Sequence, residues 1–112
     1  MISKALVAAS TKPLLLSILC YGESYGYQII QKVKELTDGK LEWSDGMLYP
    51  VLHRLEKDGL VKSQWILSKN GRMRKYYKIT LEGKKELEIE KKQWLNIHRA
   101  LNMLWEPLPS TG

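Results

Sequence analysis

The chain has 112 residues, a formal charge of +6 and a pI near 9.4, with one cysteine and no phenylalanine. That length supports one domain, or one domain plus a dimerisation element, with a modest core that closes without disulfides. A lone Cys20 excludes an internal disulfide, no apolar run reaches membrane-spanning length, and the positive excess favours polyanionic partners.

Lys4 and the apolar run ending in Leu16-Ser17-Ile18-Leu19-Cys20 mimic a lipoprotein leader. Ser10-Thr11-Lys12-Pro13 interrupts that run, and bulky Leu19 stands where cleavage wants a small residue, so the segment reads as a core helix. Pro13 fits a first turn, which sets the helix start at Thr11 or Lys12 and leaves residues 1–10 as a short helical arm. Leu15, Ile18 and Leu19 line the inner face, and Cys20 is expected beside them as a buried, reduced thiol. A second helix is predicted over residues 25–37, with Ile29, Ile30, Val33 and Leu36 inward and Gly39 as a left-handed cap. Leu41-Glu42-Trp43 reads as a short extended piece.

Ser44 is a good N-cap for a third helix running to Lys57. Pro50 would crowd the carbonyl of residue 46, but that residue is a glycine, so the helix is kept with slight distortion. Leu48, Val51, Leu52 and Leu55 give its core face. Opposite them stand Ser44, Asp45, Tyr49, His53, Arg54 and Lys57. Two strand-forming runs follow, residues 61–67 and 74–79, joined through Asn70-Gly71, which predicts a type I′ turn. From Lys62 to Lys78 there are six Lys or Arg and no Asp or Glu, a charge that so short a hairpin cannot bury. Trp43 and Trp65 are expected to pack around the hairpin base.

Thr80-x-x-Gly83 opens a last helix reaching Trp105, where Pro107 and Pro109 forbid continuation. Leu87, Trp94, Ile97, Leu101, Leu104 and Trp105 form its apolar stripe, with a Glu88–Lys92 pair at i,i+4 spacing before it. A half-solvated helix with an apolar far end calls for a partner, and a homodimer built on those six residues is the economical answer. The expected organisation is residues 1–80 as the binding domain, 81–106 as a dimerisation helix and 107–112 as a tail.

The implied fold is mostly α with a two-stranded β-wing: a winged helix-turn-helix plus a C-terminal dimerisation helix. In such an arrangement Ser44, Tyr49, His53 and Arg54 reach base edges and phosphates, while Lys69, Arg72, Arg74 and Lys75 of the wing meet the backbone or the minor groove. Enzymatic readings find no support. His53 and His98 lie in different helices without a Cys or carboxylate at metal spacing, so no catalytic residue, metal or cofactor is assigned. Trp94 has two readings: packing at a dimer interface, or an aromatic platform for a flat ligand at the two-fold axis.

Three stretches carry a resemblance. Tyr25-Gly26-Tyr27-Gln28-Ile29, the run from Leu48-Tyr49-Pro50 to Asp58-Gly59-Leu60-Val61, and Gly71-Arg72-Met73-Arg74-Lys75-Tyr76-Tyr77 resemble the PadR family of bacterial transcriptional regulators. The resemblance implies a cytoplasmic, homodimeric repressor on a pseudo-palindromic operator in double-stranded DNA, with Tyr25 joining the DNA-contacting residues. The single C-terminal helix and the position of Trp94 are similar to a multidrug-binding branch of the smaller PadR subgroup, which implies relief by a planar aromatic or phenolic effector. The Tyr49-Pro50 pair departs from that branch and matches the broader family. The alternatives are a winged-helix module that binds an acidic protein partner, and a regulator without a small ligand.

Overall fold

Hydroxyl side chains start three of the four helices in residues 1–106, the part of the chain described in the computed structural model. Ser3 Oγ accepts from the Leu6 amide (3.2 Å), Ser44 Oγ from Met47 (3.2 Å) and Thr80 Oγ1 from Gly83 (3.0 Å). Each satisfies an amide that the helix itself leaves without a partner. They open α1 (Lys4–Cys20), α3 (Asp45–Lys57) and α4 (Leu81–Trp105), whereas α2 (Gly26–Leu36) begins at Tyr25 with no side-chain cap.

The break expected near Thr11 does not occur, and α1 is continuous through Pro13. The hydroxyls just before Pro13 turn back along the helix: Thr11 Oγ1 and Ser10 Oγ both donate to the Val7 carbonyl, at 2.7 and 3.0 Å. Ala9, whose carbonyl loses its proline partner, is exposed, so water can replace the bond. Cys20 is likewise not in the core. It is the last residue of α1 and exposed, because Leu19, a hundred degrees away on the helix, takes the buried position. Leu36, expected inward, is 59% exposed one turn past fully buried Val33.

Gly39 caps α2 in the left-handed region, and Asp38 before it also has positive φ. Thr37 Oγ1 then accepts from the Leu41 amide (3.0 Å), which steers Leu41 and Trp43 into the core. A three-stranded antiparallel sheet follows in the order β1-β3-β2, from Ser24–Tyr25, Met73–Ile79 and Val61–Leu67. Two residues of β1 extend the expected hairpin, pairing Ser24 with Tyr77 and Tyr25 with Tyr76. The hairpin turn is not type I′. Only Gly71 has positive φ; its amide donates to Ser68 (3.0 Å) and the Ser68 amide donates to Arg72 (2.7 Å). That is a three-residue loop closed by one left-handed glycine, which needs a single positive φ rather than two.

One core serves every element. Leu15, Leu16, Leu19, Ile29, Val33, Leu48, Leu52 and Tyr77 are all at most 1% exposed, and so is Leu87 of α4. The first turns of α4 therefore share the core of the preceding domain. They are held there by Gly83, whose missing Cβ lets the helix lie on the Leu60 backbone, and by Lys12 of α1, which reaches Glu86 (2.9 Å) and Glu90 (3.4 Å). Farther along, α4 leaves the core. Its surface ion pairs are Glu82–Lys85 (3.3 Å) and Glu88–Lys91 (3.1 Å), not the expected Glu88–Lys92. It ends at Trp105, and Glu106 is already extended, the conformation required before a proline. Pro107, Pro109 and the expected tail lie outside the described residues. The observed fold is the winged helix-turn-helix that the sequence implies, with a third short strand added.

Candidate nucleic-acid interface

Between α3 and the wing lies a cleft of about 690 Å³. Tyr49 and His53, one helical turn apart on α3, form one wall; Arg72, Arg74 and Lys75 of the wing form the other; Tyr25 of β1 closes the end. Six of the nine residues proposed for DNA contact thus converge from three elements. Ser44 caps α3 at its start, and Lys69 is exposed at the wing tip. Arg54 is not in the cleft. It lines a separate groove against Lys4, Val7 and Lys12 of α1, because one residue beyond His53 the helix has turned by about 100°.

The wing cations are not equivalent. Arg74 Nη1 donates to the Tyr25 hydroxyl at 2.6 Å, and its guanidinium carbon lies 4.4 Å from the centroid of the same ring. Tyr25 is in turn braced edge-on by Tyr76, with centroids 5.2 Å apart. Lys75 Nζ stands 5.6 Å from the Tyr77 ring. Arg72 and Lys69, by contrast, are exposed. Two cations are therefore oriented by aromatic faces and two are free to find phosphate.

The end of α3 is braced from behind. Glu56 Oε2 accepts from both the amide (3.1 Å) and the hydroxyl (2.6 Å) of Ser63, tying the end of α3 to β2. Tyr49 packs its phenol over Gly26, where a Cβ would come within 2.9 Å of Tyr49 Cζ. Tyr77 is fully buried, and its hydroxyl has no hydrogen-bond partner among the described residues. Burial pushes its ionisation above the ordinary tyrosine value, reinforced by the charge of Glu56 and by Tyr49.

Trp65, Met73 and Tyr27 also line the cleft, and none was proposed from sequence. Trp65 in particular is 60% exposed rather than packed at the hairpin base. It shares a face with buried Val61 and lies opposite Lys75, but the wing has outrun the core by that point. Period-two alternation could place Trp65 on the right face, not at the right distance from the core.

A second, apolar groove of about 650 Å³ separates α1 from α4, lined by Leu6, Pro13, Leu14, Leu87, Trp94 and Leu95 among others. Trp94 is half-buried here. Of the other residues proposed for a dimer interface, Leu87 belongs to the chain's own core at 1% exposure, a correction that follows from the way α4 docks on α1. Ile97, Leu104 and Trp105 are 61%, 80% and 69% exposed, and Leu101 is half-buried.

Among the described residues no helix is long and apolar enough to cross a membrane. The architecture is shared with solved proteins. A transcriptional regulator from Clostridium thermocellum superposes with a TM-score of 0.83 at 30% identity, over 95% of this chain and all of that one. A PadR family transcription regulator from Clostridium difficile gives 0.75 at 36% identity, over 85% of this chain and 97% of that one. A PadR-like regulator from Bacillus cereus gives 0.82 at 29%, over 93% and 99%. In sequence, protein X of Lysinibacillus sphaericus is 27% identical over 96% of this chain and 99% of its own length. Transcriptional regulator YqjI of Escherichia coli is 31% identical over 76% of this chain, which spans 35% of that longer protein. Residues 15–89, from the middle of α1 into α4, match the model of the transcriptional regulator PadR-like family, and the chain belongs to that family.

Proposed function

We propose that this regulator binds a pseudo-palindromic operator as a homodimer and acts as a repressor. The observation that carries the reading is the cleft: the exposed face of α3 and the acid-free wing converge on one surface, with Tyr49 and His53 facing Arg72 and Lys75. A major groove admits such a helix, and the wings then lie along the flanking backbone. The exposed Ile97, Leu104 and Trp105 supply the reason for a second subunit, since an isolated chain would leave that apolar end of α4 in water. Two recognition helices related by a two-fold axis would meet half-sites on the order of 10 base pairs apart.

Trp94 gives the reading a control element. It borders the apolar α1–α4 groove, and a planar aromatic effector stacked there would bias the subunit spacing. Release of DNA requires that the effector bind one spacing better than the other; tight binding alone shifts nothing. A gel shift on the protein's own promoter tests the first part. A shift at low salt that is weakened by Tyr49→Ala and Arg72→Ala supports operator binding, and no shift refutes it. Selective capture of an acidic protein with no preference for the palindrome would favour an interaction module instead. Quenching of tryptophan fluorescence by ethidium without DNA, lost in Trp94→Ala, tests the effector site.

A further inference from the structure

Tyr77 presents a physical contradiction. A buried hydroxyl without a hydrogen-bond partner lowers stability, and phenylalanine would fill the same volume at no such cost. The ring lines the floor of the α3–wing cleft, opposite Ser24 in the sheet and so two residues from the start of α2. That start is also incomplete: among the described residues no side chain caps α2, and its first turn holds no acidic residue. First-turn amides left this way carry the positive end of the helix dipole. Tyr49 stands over both features. Its phenol lies on Gly26 and, after the Glu56 carboxylate already engaged by Ser63, is the next group acting on Tyr77; among the described residues no hydrogen bond holds its hydroxyl. Arg74 enters the same cleft, oriented by Tyr25.

We propose that the cleft floor holds one backbone phosphate of the operator, bound by the first-turn amides of α2, the hydroxyls of Tyr49 and Tyr77, and the Arg74 guanidinium. The inference rests on the operator-binding reading above and adds a specific clamp to it. Tyr49, packed against Gly26 only because that residue lacks a Cβ, is the movable wall, and its displacement opens the Tyr77 hydroxyl to the phosphate oxygen. The phosphate supplies the acceptor that Tyr77 lacks and an anion for the uncapped helix end. Arg74 neutralises it, while its contact with Tyr25 fixes where the charge sits.

Methylphosphonate substitution, which removes the charge of one operator phosphate at a time, tests the clamp when combined with Tyr77→Phe. The expected result is one phosphate per half-site whose neutralisation weakens the wild-type protein roughly tenfold and Tyr77→Phe far less, the variant alone being roughly tenfold weaker on unmodified DNA. Tyr77→Phe should melt at or above the wild-type temperature, which separates the lost contact from lost folding. A variant that binds with wild-type affinity and an unchanged methylphosphonate profile overturns the clamp while leaving operator binding intact. A wild-type protein that binds no operator overturns both. Thermal protection by inorganic phosphate at fixed ionic strength, abolished by Tyr77→Phe and unaccompanied by any sensitive operator phosphate, would assign the same oxyanion chemistry to free phosphate and overturn the operator assignment.

Discussion

The Tyr25 hydroxyl accepts a 2.6 Å hydrogen bond from Arg74 Nη1 while the Tyr25 ring lies beneath the same guanidinium, 4.4 Å from its carbon. A residue in a two-residue strand thus sets the direction of a cation in the wing, 49 positions later. Tyr25→Ala should weaken operator binding about two- to tenfold by removing that orientation, with the slope of log affinity against log salt unchanged, because no charge is lost. Arg72→Ala, which removes an exposed charge, should lower that slope by about one. Equal slopes for the two variants would refute the distinction.

Removal of the Glu56 carboxylate should be among the most damaging changes outside the apolar core. Glu56→Ala strips the acceptor from both the amide and the hydroxyl of Ser63 and loosens α3 from β2. We expect a loss of about 2 kcal/mol in urea unfolding, with an unchanged m value. A loss below about 0.5 kcal/mol would show that water substitutes fully.

Gly83→Ala should cost about 2–3 kcal/mol, because a Cβ there overlaps the Leu60 carbonyl and comes within 2.7 Å of Ile79 Cγ1, and the backbone cannot retreat without moving α4. Thermal melts read this directly, and a wild-type melting temperature would contradict the close approach.

Alkaline pH should destabilise the fold through two groups. Burial raises Tyr77 above 10.0, so below pH 10 this group adds no pH dependence, and stability falls as pH climbs from 10 through the folded value because the unfolded chain ionises first. The hydrogen bond that Lys12 donates to Glu86 raises its ammonium above 10.5, so its contribution too persists at neutral pH and disappears above that value. Lys12 is more than one-third exposed, so its share should be at most about 1 kcal/mol. Tyr77→Phe should flatten the fall in stability just above pH 10. An identical alkaline limb in the variant would assign that fall elsewhere.

Leu104→Glu should leave the subunit folded, since that residue is 80% exposed, yet weaken self-association by tenfold or more in sedimentation equilibrium. An unaffected dimer would move the interface away from the far end of α4.

The local grammar of the chain was readable without coordinates. Ser44 and Thr80 start their helices where a hydroxyl and a following periodic run require, and Gly46 lets α3 pass Pro50. The acid-free run from Lys62 to Lys78 marks a surface that faces water or an anion, because charge of one sign cannot be buried in a hairpin. Those signals depend on neighbours within a few residues, and they suffice for the winged helix-turn-helix and the outer face of α3. Tertiary structure decided what depends on distance from a shared core. It put Cys20 and Trp65 in solvent, Leu87 inside and Arg54 on a different groove from His53. It also brought Tyr25 to Arg74 and left the Tyr77 hydroxyl without a hydrogen-bond partner among the described residues. Contacts across fifty residues are chosen by packing and by loop closure rather than by local preference, so no period or cap in the sequence encodes them.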